Sequence, residues 1–313
     1  MSVTAASGAA VPVKPPVRSR ATKAPSASFW PFVVPALVIV VAVILLPWAF
    51  TLWMSVSEWK IGEAHHFVGA ANFWRLLTDA RFLQSIWRTL LYTALSVIAP
   101  LILGTAAALL FNRKLPLRGL LRGIFVMPMM ATPVAIALVW TMMFHPQLGV
   151  LNYLLSLLGI GPQDWIYAPD TVIASLVLVE TWQWTPLVML IVLGGLASLP
   201  IDPFESAQID GANAWQRLCY LTLPMITPFL LVAVTIRMID ALKSFDIIYA
   251  MTQGGPGTAS ETINLYLYSV AFSYSDIGYG SAIAVVFFVL IVLLSMLLLH
   301  LRQRATRIMG DVR

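Results

Sequence analysis

The chain predicts an all-α membrane protein of six transmembrane helices, with a polar cytoplasmic hairpin between helices 4 and 5. Three observations lead there. Of its 313 residues 59% are hydrophobic and 11% charged, and the mean hydropathy is +0.85, whereas soluble domains sit near half apolar and a quarter charged. Several windows hold about 18 or more residues with few or no charges, long enough as helices to cross a hydrocarbon core of about 30 Å at about 1.5 Å per residue. These windows lack the alternation of a barrel strand, and backbone in lipid must satisfy its own hydrogen bonds, so they are helices.

In chain order, residues 1–28 are rich in Ala, Pro, Ser and Val, carry Lys14, Arg18, Arg20 and Lys23, and hold no acid. Such a segment cannot bury a core and is expected to be a disordered tail. The first apolar run begins near Phe29 and is long enough to stay in the membrane, unlike a cleaved signal. Spans are predicted at 32–56, 85–111, 120–144, 171–199, 224–250 and 279–301, giving a membrane domain over 29–303 and a second tail over 304–313. With the N-terminus inside, the inner segments hold thirteen Lys and Arg: the four of the tail, then Arg113, Lys114, Arg118, Arg122, Arg217, Arg302, Arg304, Arg307 and Arg313. The outer segments hold four: Lys60, Arg75, Arg81 and Arg88. This bias puts both termini in the cytoplasm, and with them the hairpin after span four.

The net charge of +5 comes from basic residues dispersed at the ends of apolar segments, which excludes the single basic stripe of a nucleic-acid binder. Cys219 is the one cysteine, so no intramolecular disulfide exists, and a cytoplasmic loop suits a reduced thiol. No internal repeat is evident, which argues against carrier folds built from symmetric halves.

The hairpin reads ESAQIDGANAWQRLCYLTLP over 205–224. Asp202 suits an N-cap, Pro203 the first helical position, and Glu205 the return bond of a capping box. Gly211 supplies a left-handed stop, after which Ala212 to Tyr220 form a second helical piece leading to Leu223 and Pro224. Pro224 and Pro228 are expected in the opening turn of span five, where missing amides cost little. Ser206, Ala207 and Ala212 are small enough for close approach to another surface, and Phe204 offers an apolar anchor. The alternative is an amphipathic turn lying on the membrane.

Span five carries Arg237, Asp240, Lys243 and Asp246 at intervals of three, alternating in sign, so that neighbours can pair on a helix. Counting from Pro224, Arg237 and Asp240 lie about 20–24 Å into the membrane, and Glu180 lies about 14 Å below the outer face, close to the same level. Intramembrane charges either pair internally, holding spans four and five together, or line a solute path. Beside Glu180, Trp182, Gln183 and Trp184 combine aromatic faces with amide groups, a mixture suited to sugar rings and hydroxyls, while the alternative for each tryptophan is helix packing or interface anchoring. In the third outer connection, Gly254, Gly255, Pro256 and Gly257 form either a tight turn or a contact platform for an external partner.

The spacing Glu205, Ser206, Ala207, three residues, Gly211, nine residues, Leu221, any residue, Leu223, Pro224 resembles the EAA motif of bacterial ATP-binding-cassette (ABC) importer permeases, with Ser206 replacing an alanine and Leu221 an isoleucine. KSFDIIYAMTQGGPGTASETINLYLYSVAF at 243–272 and VETWQWTPL at 179–187 resemble segments of carbohydrate-importer permeases of the maltose-permease type, and the likeness spans about residues 30 to 303. It implies a permease of the inner (plasma) membrane that pairs with a second permease, two cytoplasmic ATPase subunits holding ATP and Mg, and an external solute-binding protein delivering a sugar or polyol. The hairpin would then be the coupling helix docked on the ATPase.

No phosphate-cradling G-x-x-x-x-G-K-[ST] occurs, and no lysine follows a glycine, so the energy must come from a partner. The four histidines show no ligand spacing and no catalytic motif is present; neither a metal, a cofactor nor an enzymatic activity is expected on this chain. Two rival readings are an ion-coupled carrier using the span-five charges and an intramembrane enzyme using Glu180 or Asp240 as an acid.

Overall fold

The computed structural model describes residues 30–113 and 116–310. The predicted N-terminal tail, Lys114 and the last three residues lie outside the described residues. Helix α1 (Trp30–Ser55) is apolar on every side and contains Pro35 and Pro47. The chain divides at Trp48/Ala49 into two units, and all that follows concerns the second.

A short antiparallel pair, β1 (Ser57–Glu58) and β2 (His66–Phe67), is the one sheet among the described residues. It leads to α2 (Ala71–Thr78) and α3 (Ala80–Phe111). The long helices α3, α7 (Val172–Ala197) and α10 (Leu223–Leu242) form the core of the bundle. Two glycines set how closely they pack. A Cβ on Gly104 of α3 would stand 2.7 Å from Cβ of Val188 and 2.9 Å from the Thr185 carbonyl, and one on Gly195 of α7 would stand 2.6 Å from the Phe229 ring. Lipid tails are as apolar as leucine, so helix association in a bilayer depends on such close approach. One buried cluster joins Tyr92, Trp140, Phe144, Leu176 and Ile248; another joins Phe111, Met189, Val192 and Ile226. Side chains such as Ile102, Leu293 and Leu297 remain exposed, an apolar exterior suited to lipid.

Among the described residues, and counting α1, five helices are long and apolar enough to span a membrane, and a sixth span exists if a bent pair is one segment. That pair corrects the continuous third span expected at 120–144: α4 (Arg118–Val126), a 3-10 turn at Met127–Met130, and α5 (Pro133–Met143) meet at 97°. Pro133 holds Thr132 in an extended conformation (φ −69°, ψ 142°), which a helix cannot pass through. Short helix α6 (Val150–Leu157) follows in the connection between α5 and α7.

Span five also differs from expectation. It ends at Leu242 instead of 250, and after a break the chain resumes as α11 (Asp246–Thr252). The polar Lys-Ser-Phe-Asp sequence favours this break, since Asp246 sits in the first turn of α11, where a carboxylate suits the helix N-terminus, and Ser244 bonds elsewhere. The charge series is therefore not one helical stripe. Beyond it come α12 (Ile263–Tyr268), a π-turn at Ser269–Ser273, and α13 (Ile277–Gly310), whose helical backbone runs past the expected span end at 301 into the segment assigned as a tail.

Candidate functional site

The hairpin consists of α8 (Asp202–Ile209) and α9 (Ala214–Arg217). Ile201 is itself in helical conformation (φ −81°, ψ −32°), and its carbonyl accepts the amides of Phe204 at 3.0 Å and Glu205 at 3.2 Å. Asp202 is thereby moved inside the helix and makes no cap bond, which corrects the capping box expected with Glu205. The capping box occurs on the second arm: the Gln216 amide donates to Asn213 Oδ1 at 2.9 Å, and the Asn213 amide donates to Gln216 Oε1 at 2.8 Å. The Asn-x-x-Gln spacing was the available signal. Gly211 adopts φ +80° and closes α8, and a Cβ there would meet nothing within 4 Å, so the demand for glycine comes from the backbone alone.

The second arm continues without interruption into span five. After α9 a π-turn at Leu218–Thr222 joins α10, giving one apolar helical rod over Ala214–Leu242. Pro224 and Pro228 thus lie within a continuous helix, contrary to the expected helix start. The wider turn accommodates the amide missing at Pro224: Leu223 donates to the Leu218 carbonyl, and the Thr222 hydroxyl to that of Arg217 at 3.2 Å. Leu223 and Pro224 are therefore part of a rod that begins in the hairpin. Glu205 and Ser206 are exposed, while Ala207, Ala212 and Phe204 are half-buried. Missed from sequence were the exposed apolar side chains Ile209 (86%), Trp215 (71%) and Tyr220 (77%). Between the arms lies a concavity of about 380 Å³ lined by Ala207, Asp210, Gly211, Gln216, Arg217 and Tyr220.

Within the bundle, Glu180 and Arg237 are 3% and 1% exposed and bond at 2.8 Å across α7 and α10. Arg237 also bonds Asp240 at 2.7 Å and places its guanidinium 4.8 Å from the Trp184 ring. The other oxygen of Glu180 accepts the hydroxyls of Tyr92 at 2.9 Å and Ser244 at 3.2 Å. A buried carboxylate with three donors and a paired guanidinium offsets its desolvation far better than a bare pair. Tyr92 and Ser244 carried no sequence signal, since each comes from a different element. A polar cavity of about 270 Å³ opens beside the pair, lined by Glu180, Trp184, Asp240, Lys243, Phe245 and Asp246.

Trp182 and Gln183 do not join that cavity. Successive helical residues point about 100° apart, so Trp182, 45% exposed, faces an apolar cavity of about 830 Å³ against Trp140. Gln183 is buried, with Nε2 3.5 Å from the Ala131 carbonyl and Oε1 unpartnered.

The connections at the far ends of α3, α10 and α13 are tied by charge. Asp79 accepts the hydroxyls of Tyr266 and Tyr279, each at 2.6 Å, and the amides of Arg81 and Phe82. Burial alone would raise its pKa, but the two tyrosine hydroxyls and two amides together hold it below the ordinary carboxylate value. Glu261 takes a bidentate bond from Arg81, 2.7 Å on each side. Gly254 (φ +90°) and Gly257 (φ +61°) flank a cis Gly255–Pro256 bond, and Ser260 fastens the turn through the carbonyls of Gly254 at 3.1 Å and Gly255 at 2.7 Å. Gly254 is buried under Leu265; Gly257 is exposed.

Residues 100–307 match the family described as binding-protein-dependent transport system inner membrane component. The chain is 37% identical over 260 residues, 83% of its length and 88% of the relative's, to the trehalose/maltose transport system permease protein MalF of Thermococcus litoralis. It is 34% identical over 259 residues, 82% of its length and 84% of the relative's, to the sulfoquinovosyl glycerol transport system permease protein SmoG of Agrobacterium fabrum. In fold it is similar to a chain of a bacterial alginate ABC transporter solved in complex with an alginate pentasaccharide-bound periplasmic protein, with TM-score 0.77, 22% identity, and coverage of 89% of this chain and 94% of that one. The long apolar helices, the hairpin between α7 and α10 and these likenesses agree, and the chain belongs to the family of binding-protein-dependent transport system inner membrane components.

Proposed function

We propose that this chain is one permease subunit of an ATP-driven importer, and that with a second permease it forms the pathway for a sugar or polyol delivered by an external solute-binding protein. Two cytoplasmic ATPase subunits, which hold the ATP and Mg, drive it through the 203–220 hairpin. The observation that carries this reading is the unbroken rod from Ala214 to Leu242: a push on the hairpin's second arm displaces Arg237 and Asp240 at the polar cavity along one continuous helix, and the turn at Gly211 joins that arm to the docked one. Glu205, Ser206, Ala207, Gly211 and Ala212 form the docked arm, and Leu223 and Pro224 belong to the shaft. The names of the relatives, which specify trehalose, maltose and sulfoquinovosyl glycerol, support a carbohydrate cargo. The excess of Lys and Arg in the tails and in the 112–119 turn supports cytoplasmic termini, and the GGPG turn is then on the outer face, available to the binding protein.

The ion-coupled reading is the weaker one on structural grounds. A coupling site must load and unload its ion, yet Glu180 already accepts from three side chains and Arg237 is paired twice. The test is reconstitution. The chain, its ATPase, its sister permease and its binding protein should together take up radiolabelled sugar when ATP is enclosed, and the chain alone should take up nothing. Uptake by the chain alone under a proton or sodium gradient would overturn the proposal.

A further inference from the structure

The wall of the polar cavity beside Glu180 continues into a run of aromatic rings. Phe245, part of that wall, is the first of four rings in contact. Phe245 stacks on Tyr249 with centroids 5.1 Å apart and planes 14° from parallel. Tyr268 touches both, 5.2 Å from Phe245 and 5.3 Å from Tyr249, and Phe272 stands 5.2 Å beyond Tyr268. The rings come from the break after α10, from α11, from the end of α12 and from the π-turn that follows it. Phe245 and Tyr268 rest on the cluster around Trp140 and Phe144, while Phe272 is 68% and Tyr249 38% exposed. The run is thus anchored on one side and open on the other.

A belt of aromatic residues at a membrane interface would face lipid headgroups. This run instead ends in a cavity walled by Asp240, Lys243 and Asp246, groups that exchange hydrogen bonds with hydroxyls. Aromatic faces carry negative potential, and the complementary surface is a flat set of polarised C–H bonds, as found on one face of a pyranose ring. An acyclic polyol has no such rigid face. Phe245 and Tyr249 cover one face of each other, which leaves the exposed side of the run, at Phe272 and Tyr249, for a sugar ring to stack on before its hydroxyls meet the carboxylates.

We propose that Phe272, Tyr268, Tyr249 and Phe245 form a stacking track that conducts a pyranose ring to the polar cavity. This rests on the reading of the chain as a sugar-importer permease and narrows its cargo from sugars and polyols to ring sugars. The test uses the complete importer in proteoliposomes, with radiolabelled trehalose and maltose as ring probes and mannitol as the acyclic probe. The unaltered importer takes up a ring probe in preference to mannitol. Tyr268→Ala and Phe272→Ala each lower uptake about three- to tenfold at subsaturating sugar, whereas Tyr268→Phe and Phe272→Trp retain it. Binding-protein-stimulated ATP hydrolysis and co-purification of the second permease are unaffected. If the unaltered importer takes up none of the probes, the sugar reading fails and the track with it. If it takes up a ring probe but the alanine variants match it, the track alone is wrong. Preference for mannitol, equal loss in the aromatic replacements, or release of the second permease by the alanine variants likewise overturns the track, the last by showing a subunit contact.

Discussion

Arg237→Met removes the guanidinium that joins α7 to α10 and leaves Glu180 buried with two hydroxyl donors. Breaking a buried pair by deleting one partner costs about 3–5 kcal/mol. Tyr92 and Ser244 still donate to Glu180, so the lower end of that range, about 3 kcal/mol, applies. The Asp240 bond adds little, because that side chain is 49% exposed and solvent screens the pair. Replacing both partners with apolar residues of similar volume, Arg237→Met with Glu180→Leu, removes the stranded charge and should restore most of the stability. Thermal unfolding of the purified complex followed by fluorescence reads this: a shift of about 6 °C or more for the single variant, at about 2–4 °C per kcal/mol for a chain of this size, and a markedly smaller one for the double. A single variant within about 2 °C of the parent, or a double variant as unstable as the single, would refute the view that this pair fastens the two helices.

Three further outcomes are expected. Gly211→Val places a β-branched residue at φ +80°, costing about 1–2 kcal/mol in the left-handed region; it should leave the complex in the membrane hydrolysing ATP while sugar uptake collapses, and unchanged uptake would contradict the coupling role. Gly104→Ala forces a methyl against Val188 and the Thr185 carbonyl and should cost about 1–3 kcal/mol, seen as a lower unfolding temperature, with Gly119→Ala, where a Cβ meets nothing within 4 Å, as the silent control. Asp79 has a lowered folded pKa, so its contribution is complete above the unfolded value of about 3.9 and is lost as pH falls through the folded one. Asp79→Asn should therefore lower stability at neutral pH and reduce the acid-induced loss below about pH 4, read by unfolding at stepped pH.

The long apolar runs, the left-handed stop at Gly211 and the nearness of Glu180 to Arg237 were legible because each depends on local composition or on the fixed rise of a helix. What escaped depends on contacts between distant segments. Arg81 and Glu261 are 180 residues apart, and nothing in either neighbourhood marks the other. The break at Lys243–Phe245 was hidden by the regular three-residue spacing of the charges from Arg237 to Asp246, though Ser244 and Asp246 are residues that favour helix ends. Pro224 suggested a helix start because proline usually sits there, yet a π-turn carries the helix through it. The WQW stretch looked like one surface in sequence, but a helix turns its three side chains to different sides.

The coupling claim is tested most directly by placing a photo-crosslinking amino acid at Ile209, 86% exposed on the hairpin, in the assembled importer in intact membranes. The lever predicts an adduct with the ATP-hydrolysing subunit. An adduct with the external binding protein instead would contradict it.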